Sequence, residues 1–311
     1  MTVAILNAGK CWLCSISHFS TAVVVPGYYR DTIGSAHRAS EKLNPMSSSM
    51  VATTQAEGVA WLCLNRPDQR NPLSLAMIKA LTSALESAYI DSSTRVIVIT
   101  AEGPVFSAGH DLKEMEQGAD ERQDAFVDRI ENILAHCAAM MTGIVKAPKP
   151  VIACVQGTAT AAGCQLVSAC DLAIAASDAR FCTPGVNIGA FCTTPLVGIG
   201  RNLSRKHAME MALTGDMFSA EEAVNFGLIN RHVSPEDLRP ETQALAEKIA
   251  SRSPQSIRDG KVAFYTQVEM PLDEAFAHAN RVMRDALTAT EDGVEGRRAF
   301  IEKREPTWSD S

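Results

Sequence analysis

The sequence predicts an α/β fold with a helical final third, on three observations. Short, continuous apolar runs of buried-strand type recur at Val59–Leu64, Arg95–Thr100, Pro150–Val155 and Asp171–Ala176. Helix-period stretches separate them, from Leu75 to about Asp91, near 121–142 and near 162–170, which is the alternation of an α/β chain. Beyond Arg201 no good strand pattern remains, and 209–214, 220–226, 241–251, 256–267 and 272–287 read as helices.

In chain order, the first structured pattern starts at Gly58: Val59-Ala-Trp-Leu-Cys-Leu64 is β-rich and is closed by Asn65-Arg-Pro67. Asn71-Pro72-Leu73-Ser74 opens the first helix, in which Leu75, Ile78, Leu81, Leu85 and Ala88 recur at three- and four-residue steps. Residues 1–54 are rich in Ser and Thr and carry Lys10, Arg30, Arg38 and Lys42 against Asp31 and Glu41. They read as a disordered extension or an organellar leader, or as sequence upstream of a true start at Met46 or Met50. The α/β core is placed at 55–250. Residues 251–311 form a carboxyl-terminal helical region whose amphipathic surface exceeds what one core buries, so self-association is expected.

Composition narrows the function. Hydrophobic residues at 46% of 311 supply a sizeable core, and a net charge of -7 excludes the generalised basic surface of a nucleic-acid or anionic-membrane binder. The most apolar amino-terminal stretch, Cys11 to Val25, is broken by Ser15, Ser17, His18, Ser20 and Thr21, so no membrane span is expected. Nine cysteines lie mostly inside apolar runs, as free thiols in a reducing compartment do. Cys11 and Cys14 have redox or metal spacing but no second pair, so no metal site is expected. The expected location is cytoplasmic, or the mitochondrial matrix if residues 1–50 are a leader.

Two segments carry chemistry. In Phe106-Ser-Ala-Gly-His-Asp-Leu-Lys-Glu-Met115, Gly109 permits an unusual backbone conformation, and Asp111 and Glu114 have the offset of a helix N-cap and its partner, so the loop presents the His110 N–H outward. Gln156-Gly-Thr-Ala-Thr-Ala-Ala-Gly-Cys-Gln-Leu166 joins a buried strand to a helix through small residues, and the unpaired N–H groups at the positive end of that helix suit an oxyanion. Taken singly, the first fits an ordinary turn and the second fits close helix–strand packing.

Together, and in this order, these segments resemble the crotonase family, the enoyl-CoA hydratases and isomerases, over roughly residues 55–305. The likeness includes Asn65-Arg-Pro67, Ser107-Ala-Gly-His-Asp-Leu112, Gly163-Cys-Gln-Leu166 and Phe300-Ile-Glu-Lys-Arg304, while Thr183-Pro-Gly-Val-Asn187 and Lys303-Arg-Glu-Pro-Thr-Trp308 point to one branch of it. The resemblance implies a ββα spiral core with a helical carboxyl-terminal trimerisation region. It implies a homotrimer or dimer of trimers, and an acyl-CoA thioester ligand with no cofactor beyond the coenzyme A of that substrate. It also implies an oxyanion hole made by the backbone N–H groups of His110 and Ala162, Ala162 standing where glycine is usual. Coenzyme A would be met by Arg66, Arg70 and Ala108, and by Phe300 and Lys303 of this chain or a neighbouring subunit. Asp111 and Asn187 would lie at the substrate.

The chain departs from the family at the two glutamates that hydratases use, whose positions hold Gln165 and Gly185. An amide cannot accept a proton from water at useful pH, and glycine has no side chain, so the usual syn-hydration has no acid or base. Of the substitutes, His110 has a side-chain type that titrates near neutrality but, as a loop residue before a cap, is better explained as structural or ligand-contacting; Asp111 is better explained as a helix cap, and Asn187, Cys192, Thr193 and Thr194 lie where the resemblance implies an acyl pocket, with nothing to make Cys192 a nucleophile. A Clp-type serine peptidase is disfavoured, because no Ser-His-Asp set is suitably placed and Ser168 falls within a helix. Two expectations follow: an acyl-CoA enzyme of fatty-acid or acyl-CoA metabolism that works through an enolate with non-standard groups or a departing substrate carboxylate, or a catalytically silent acyl-CoA-binding or regulatory protein.

Overall fold

The computed structural model describes residues 49–309; Cys11, Cys14 and the candidate leader lie outside them. Strand β1 (Val51–Ala56) turns back on β2 (Val59–Leu64) as an antiparallel pair with Val51 opposite Leu64. The two-residue turn is Glu57-Gly58, both at positive φ, which matches the twist of the strands it joins. The sequence placed the start of structure at Gly58 and missed β1. It is an edge strand in which only Val51 is fully buried, so it lacks the continuous apolar run that marks its neighbours.

From β2 onward the chain climbs by repetition. Helix α1 (Leu75–Ile90) leads to β3 (Val96–Ala101), parallel to β2; β4 (Val105–Ser107) follows, then α2 (Gln123–Val145). The next turn is β5 (Val151–Val155), β6 (Thr158–Thr160) and α3 (Ala162–Ala169), and the third begins with β7 (Leu172–Ala176) and β8 (Arg180–Cys182). Each turn adds one strand to each of two sheets, β1-β2-β3-β5-β7-β10 and β4-β6-β8-β9, where β9 is Phe218–Ser219 and β10 is Arg231–Val233. This is the expected spiral of ββα turns. Every residue of β2, β3 and β5 is buried, which is why these strands read as unbroken apolar runs.

Beyond a 3-10 turn at Pro184–Ile188 come α4 (Pro195–Asn202), α5 (Arg205–Thr214), α6 (Ala220–Phe226), α7 (Leu238–Ala250), α8 (Pro254–Gln267), α9 (Leu272–Thr288) and α10 (Glu291–Glu302). The region is helical as expected, except that β9 and β10 lie within it; at two and three residues they are too short to show a period. No helix among the described residues is long and apolar enough to cross a membrane.

The Asp111–Glu114 pair does not open a helix: residues 111–116 form turns, and the Asp111 carboxylate accepts only the Lys113 N–H, at 3.0 Å. Glu114 instead accepts the N–H of Leu75 at 2.8 Å, while Ser74 accepts that of Met77 at 3.1 Å, so both cap α1. A carboxylate is more stabilised at the positive end of a sixteen-residue helix than in a local turn, and tertiary proximity overrode the sequence offset.

Helix α8 is fastened to the core by one ion pair. Lys261 reaches in from α8, donating to the carbonyls of Ile144 at 3.1 Å and Lys149 at 3.0 Å and to the Asp171 carboxylate at 2.7 Å. The same carboxylate oxygen accepts the Val151 N–H at 2.7 Å, and the two side chains are only 7% and 16% exposed. Removing the cation alone leaves a buried carboxylate uncompensated. Lys261→Met is therefore expected to cost about 3 kcal/mol of stability, with part of the loss recovered in Lys261→Met/Asp171→Asn, as measured by urea denaturation. Equal stability of Lys261→Met and the parent would show that α8 is held by other contacts.

Candidate functional site

The loop between β2 and α1 is built around Asn71, which is fully buried at φ 49°. Its side chain donates to the carbonyls of Glu102 and Val105, both at 2.8 Å, and accepts the Arg66 N–H at 2.8 Å. Its own carbonyl accepts the Ser107 hydroxyl at 2.9 Å, and that hydroxyl in turn accepts the Gly109 N–H at 3.2 Å. Asn71 thus binds the Arg66–Arg70 loop to the end of β4. The sequence reading used it only as a helix opener; an Asn-Pro step after an apolar strand was the available signal, since Asn tolerates the left-handed region.

The Ala108 N–H donates to the Arg70 carbonyl at 3.0 Å, its carbonyl accepts the Thr160 hydroxyl at 2.9 Å, and Leu73 donates to the Gly109 carbonyl at 2.7 Å. Residues 108–110 are therefore clamped between the 66–73 loop and β6. At Gly109, φ is 83°, and a Cβ placed there would lie 2.9 Å from the Thr160 carbonyl oxygen and 3.1 Å from the Ala162 nitrogen. Only glycine lets the turn approach α3 so closely. At Gly163 a Cβ would sit 2.5 Å from the Ser107 carbonyl oxygen, which fixes the first turn of α3 against β4.

Ala161, the residue before α3, holds φ 48° and ψ -116° and offers no side-chain oxygen to cap the first helical N–H groups. Its own N–H donates to the Cys182 carbonyl at 2.9 Å, in line with the pairing of Thr160 with Cys182 between β6 and β8. A non-glycine residue in this conformation stores strain, which the flanking strand pairing over-determines. The structure thus brings His110, Ala162, Ala108, Arg70 and Arg66 into one neighbourhood.

Gln165 follows Ala162 by three residues on α3 and is 6% exposed, yet its Oε1 has no hydrogen-bond partner. Gly185 is buried, and a Cβ there would meet the Cys192 sulfur at 2.9 Å and the Ala190 carbonyl oxygen at 3.1 Å. The Gly185 N–H donates to Cys192 Sγ at 3.3 Å, and its carbonyl accepts the Ala190 N–H at 3.0 Å. The 190–192 segment is folded onto Gly185, so no larger side chain fits there without displacing it. Burial pushes the Cys192 thiol up despite that hydrogen bond, in keeping with its lack of nucleophilic activation, and all seven described cysteines are free and buried.

Other predicted residues make contacts of their own. Asn187 is exposed, and its amide lies against Gly215 at the end of α5, because the 3-10 turn aims it toward that helix. Phe300 is 85% exposed on α10, and Lys303 caps the end of the same helix. Thr183, which the sequence reading did not single out as a site residue, is fully buried between β8 and Pro184, and its hydroxyl has no partner. A threonine before Pro-Gly was its only sequence signal. A cavity of about 200 Å³ between Tyr89, Arg95, Lys149 and Arg258 shares no residue with this cluster.

His110 is half-buried, its Nε2 is buried without a partner, and burial lowers its pKa from the ordinary 6.5. The unfolded chain therefore binds the proton first as pH falls, and stability contributed by the neutral ring is lost from pH 6.5 downward. Urea denaturation between pH 7 and 5 is expected to show a shallower loss in His110→Asn than in the parent; identical slopes would place the ring in contact with solvent. Ala161→Gly is expected to raise stability by about 1 kcal/mol, relieved strain exceeding the added entropy of the unfolded glycine, and an unchanged or lower midpoint would locate no strain at 161.

Comparison with known proteins agrees with this architecture. The family described as "Enoyl-CoA hydratase/isomerase" matches residues 54–311. The chain is 45% identical over 278 residues, 89% of each chain, to the Rattus norvegicus "Enoyl-CoA hydratase domain-containing protein 3, mitochondrial", and 44% identical over 282 residues to that of Homo sapiens, covering 90% of this chain and 88% of the human one. The crystal structure of human enoyl coenzyme A hydratase domain-containing protein 3 superimposes with a TM-score of 0.79 at 43% identity, over 83% of this chain and 100% of the other. An enoyl-CoA hydratase of Mycobacterium smegmatis gives 0.78 at 43% identity, over 83% and 98%. The branch suggested by Thr183–Asn187 and Lys303–Trp308 is that of domain-containing protein 3. A spiral of ββα turns carrying these motifs, with matches of this extent, establishes that the chain belongs to the enoyl-CoA hydratase/isomerase, or crotonase, family.

Proposed function

We propose that the protein binds an acyl-CoA thioester and polarises its carbonyl with the backbone N–H groups of His110 and Ala162. The observation that carries this is the approach of the Gly109 turn to within Cβ distance of the Ala162 nitrogen, at a helix start that no side chain caps. A first-turn N–H has no intrahelical acceptor and sits at the positive end of the helix dipole. Each such donor is worth about 3 kcal/mol when negative charge develops on the oxygen, as in a thioester enolate. Arg66 and Arg70, flanking the same turn, supply cations for the phosphates of coenzyme A. Phe300 and Lys303, exposed on α10, suit contact with the nucleotide bound to this chain or to a neighbouring subunit.

Catalysis from this site proceeds without the two carboxylates of a hydratase. Gln165 and Gly185 cannot transfer protons, and the depressed pKa of His110 keeps its ring neutral at pH 7. Loss of a substrate carboxylate as CO2 leaves the electron pair of the broken bond in the thioester enolate, so no base is needed, and a proton from water then quenches the α-carbon; this is the reaction the two donors suit best. A second reading, an acyl-CoA-binding or regulatory protein without turnover, is favoured by one observation: the Cys192 segment is packed into the space over Gly185.

Assembly as a homotrimer or dimer of trimers is supported by the apolar side chains that α8 to α10 leave exposed, among them Phe264, Leu272, Phe276, Met283 and Ile301. The Rattus norvegicus and Homo sapiens relatives named above are called mitochondrial, and residues 1–50, with Lys10, Arg30, Arg38 and Lys42 in a Ser/Thr-rich setting, suit a leader, so a mitochondrial location is proposed over a cytoplasmic one.

Carbonyl polarisation has a direct readout. Butyryl-CoA labelled with ¹³C at the thioester carbonyl is expected to show its C=O infrared band at lower frequency when bound than when free. Binding with an unshifted band would remove the oxyanion hole and leave only coenzyme A recognition.

A further inference from the structure

A cavity of about 200 Å³ opens where the ends of α1 and α7 meet the first turn of α8. It lies at the beginning of the parallel strands of the larger sheet, since Arg95 and Pro150 in its wall immediately precede β3 and β5. The Arg66–Arg70 loop follows the opposite end of β2, which is parallel to β3, so this cavity and the candidate thioester site stand at different ends of that sheet. The lining has two parts. Ile90, Ile249 and Ile257 supply an apolar wall, in which Ile90 keeps 86% of its surface exposed. Arg95, Lys149, Arg252 and Arg258 supply four cations, and no carboxylate lines the space.

The donors of these cations are only partly used. Lys149 gives two of its three N–H groups to the carbonyls of Ala88 at 2.8 Å and Asp91 at 2.6 Å, which offsets the negative end of α1 that would otherwise repel an anion. Arg258 donates only through Nε, to Asp259 at 3.2 Å, and Arg252 makes no side-chain hydrogen bond or ion pair among the described residues. Lys149 also interacts electrostatically with the Asp91 carboxylate, and Arg95 with that of Asp292. Asp91, Asp259 and Asp292 all stand outside the lining, so four cations against three carboxylates leave about one positive charge facing the cavity. We infer that this cavity binds a small apolar monocarboxylate, its carboxylate held by Arg252 and Arg258 and its hydrocarbon laid against the isoleucines. Guanidinium forks match the planar carboxylate. Charge selects it over a phosphate monoester, which brings about -1.5 to -2 and exceeds the charge left to balance it. Size selects a small body, because the volume falls below the roughly 300 to 1,000 Å³ of sites for drug-sized ligands. The inference does not rest on thioester binding.

Ligand-observed NMR titration of the full chain with benzoate tests this, beside benzyl alcohol, acetate and phenyl phosphate. Benzoate is expected to bind saturably and at least about tenfold more tightly than benzyl alcohol, a factor within the range for a hydrogen bond to a charged group. Arg252 is exposed and Arg258 half-buried, so Arg252→Gln and Arg258→Gln are each expected to weaken benzoate several-fold with the urea midpoint unchanged. Two variants guard against one of them perturbing the fold. Acetate binding as tightly as benzoate would mark an adventitious ion only and overturn the apolar part of the assignment. Phenyl phosphate binding more tightly than benzoate would overturn the single-charge assignment. Absence of saturable benzoate binding, or binding indifferent to both substitutions, would overturn the site itself.

Discussion

The site depends on one close approach, that of the Gly109 turn to the backbone at 160–162, where no Cβ fits. Two segments about fifty residues apart in the chain meet there because each is pinned independently. The turn is held by the Asn71 and Ser107 hydrogen bonds and by the Thr160 hydroxyl on the Ala108 carbonyl. The start of α3 is held by the Cys182 carbonyl and by Gly163 against β4. Preorganisation of this kind places main-chain donors without any side chain having to be selected for the chemistry.

The spiral makes this economical. Each ββα turn lays one strand in each sheet, so the ends of β4 and β6 lie side by side by parallel pairing, and the loop or helix that follows each strand opens at the same edge of the small sheet. The buried apolar strands of the larger sheet supply the rigidity. Around this frame stand the unpaired amide oxygen of Gln165 and a Gly185 covered by the Cys192 thiol.

The strain at Ala161 and the orphaned atoms of Gln165 and Thr183 share a location, and this is where local rules are most often broken in folded proteins. Asn71, by comparison, uses its amide fully, and Lys261 and Asp171 compensate each other and three further backbone partners around them.

From the sequence alone came the α/β class, the four buried strands at 59–64, 95–100, 150–155 and 171–176, most of the helices, and both segments that meet at the site, because burial on two faces writes continuous apolar runs and glycine marks places where backbone must approach backbone. Gln165 and Gly185, at positions where the resemblance implies glutamates, were read directly as residue identities in the motifs. Only the tertiary structure decided that Glu114 caps α1 and not its own segment, that Asn187 turns toward Gly215, that β1 closes the edge of the sheet, and that Cys192 fills the space over Gly185. Each of these is a contact between residues distant in sequence or a choice among partners of similar local strength, and a one-dimensional pattern contains neither the distances nor the competitors that settle such choices.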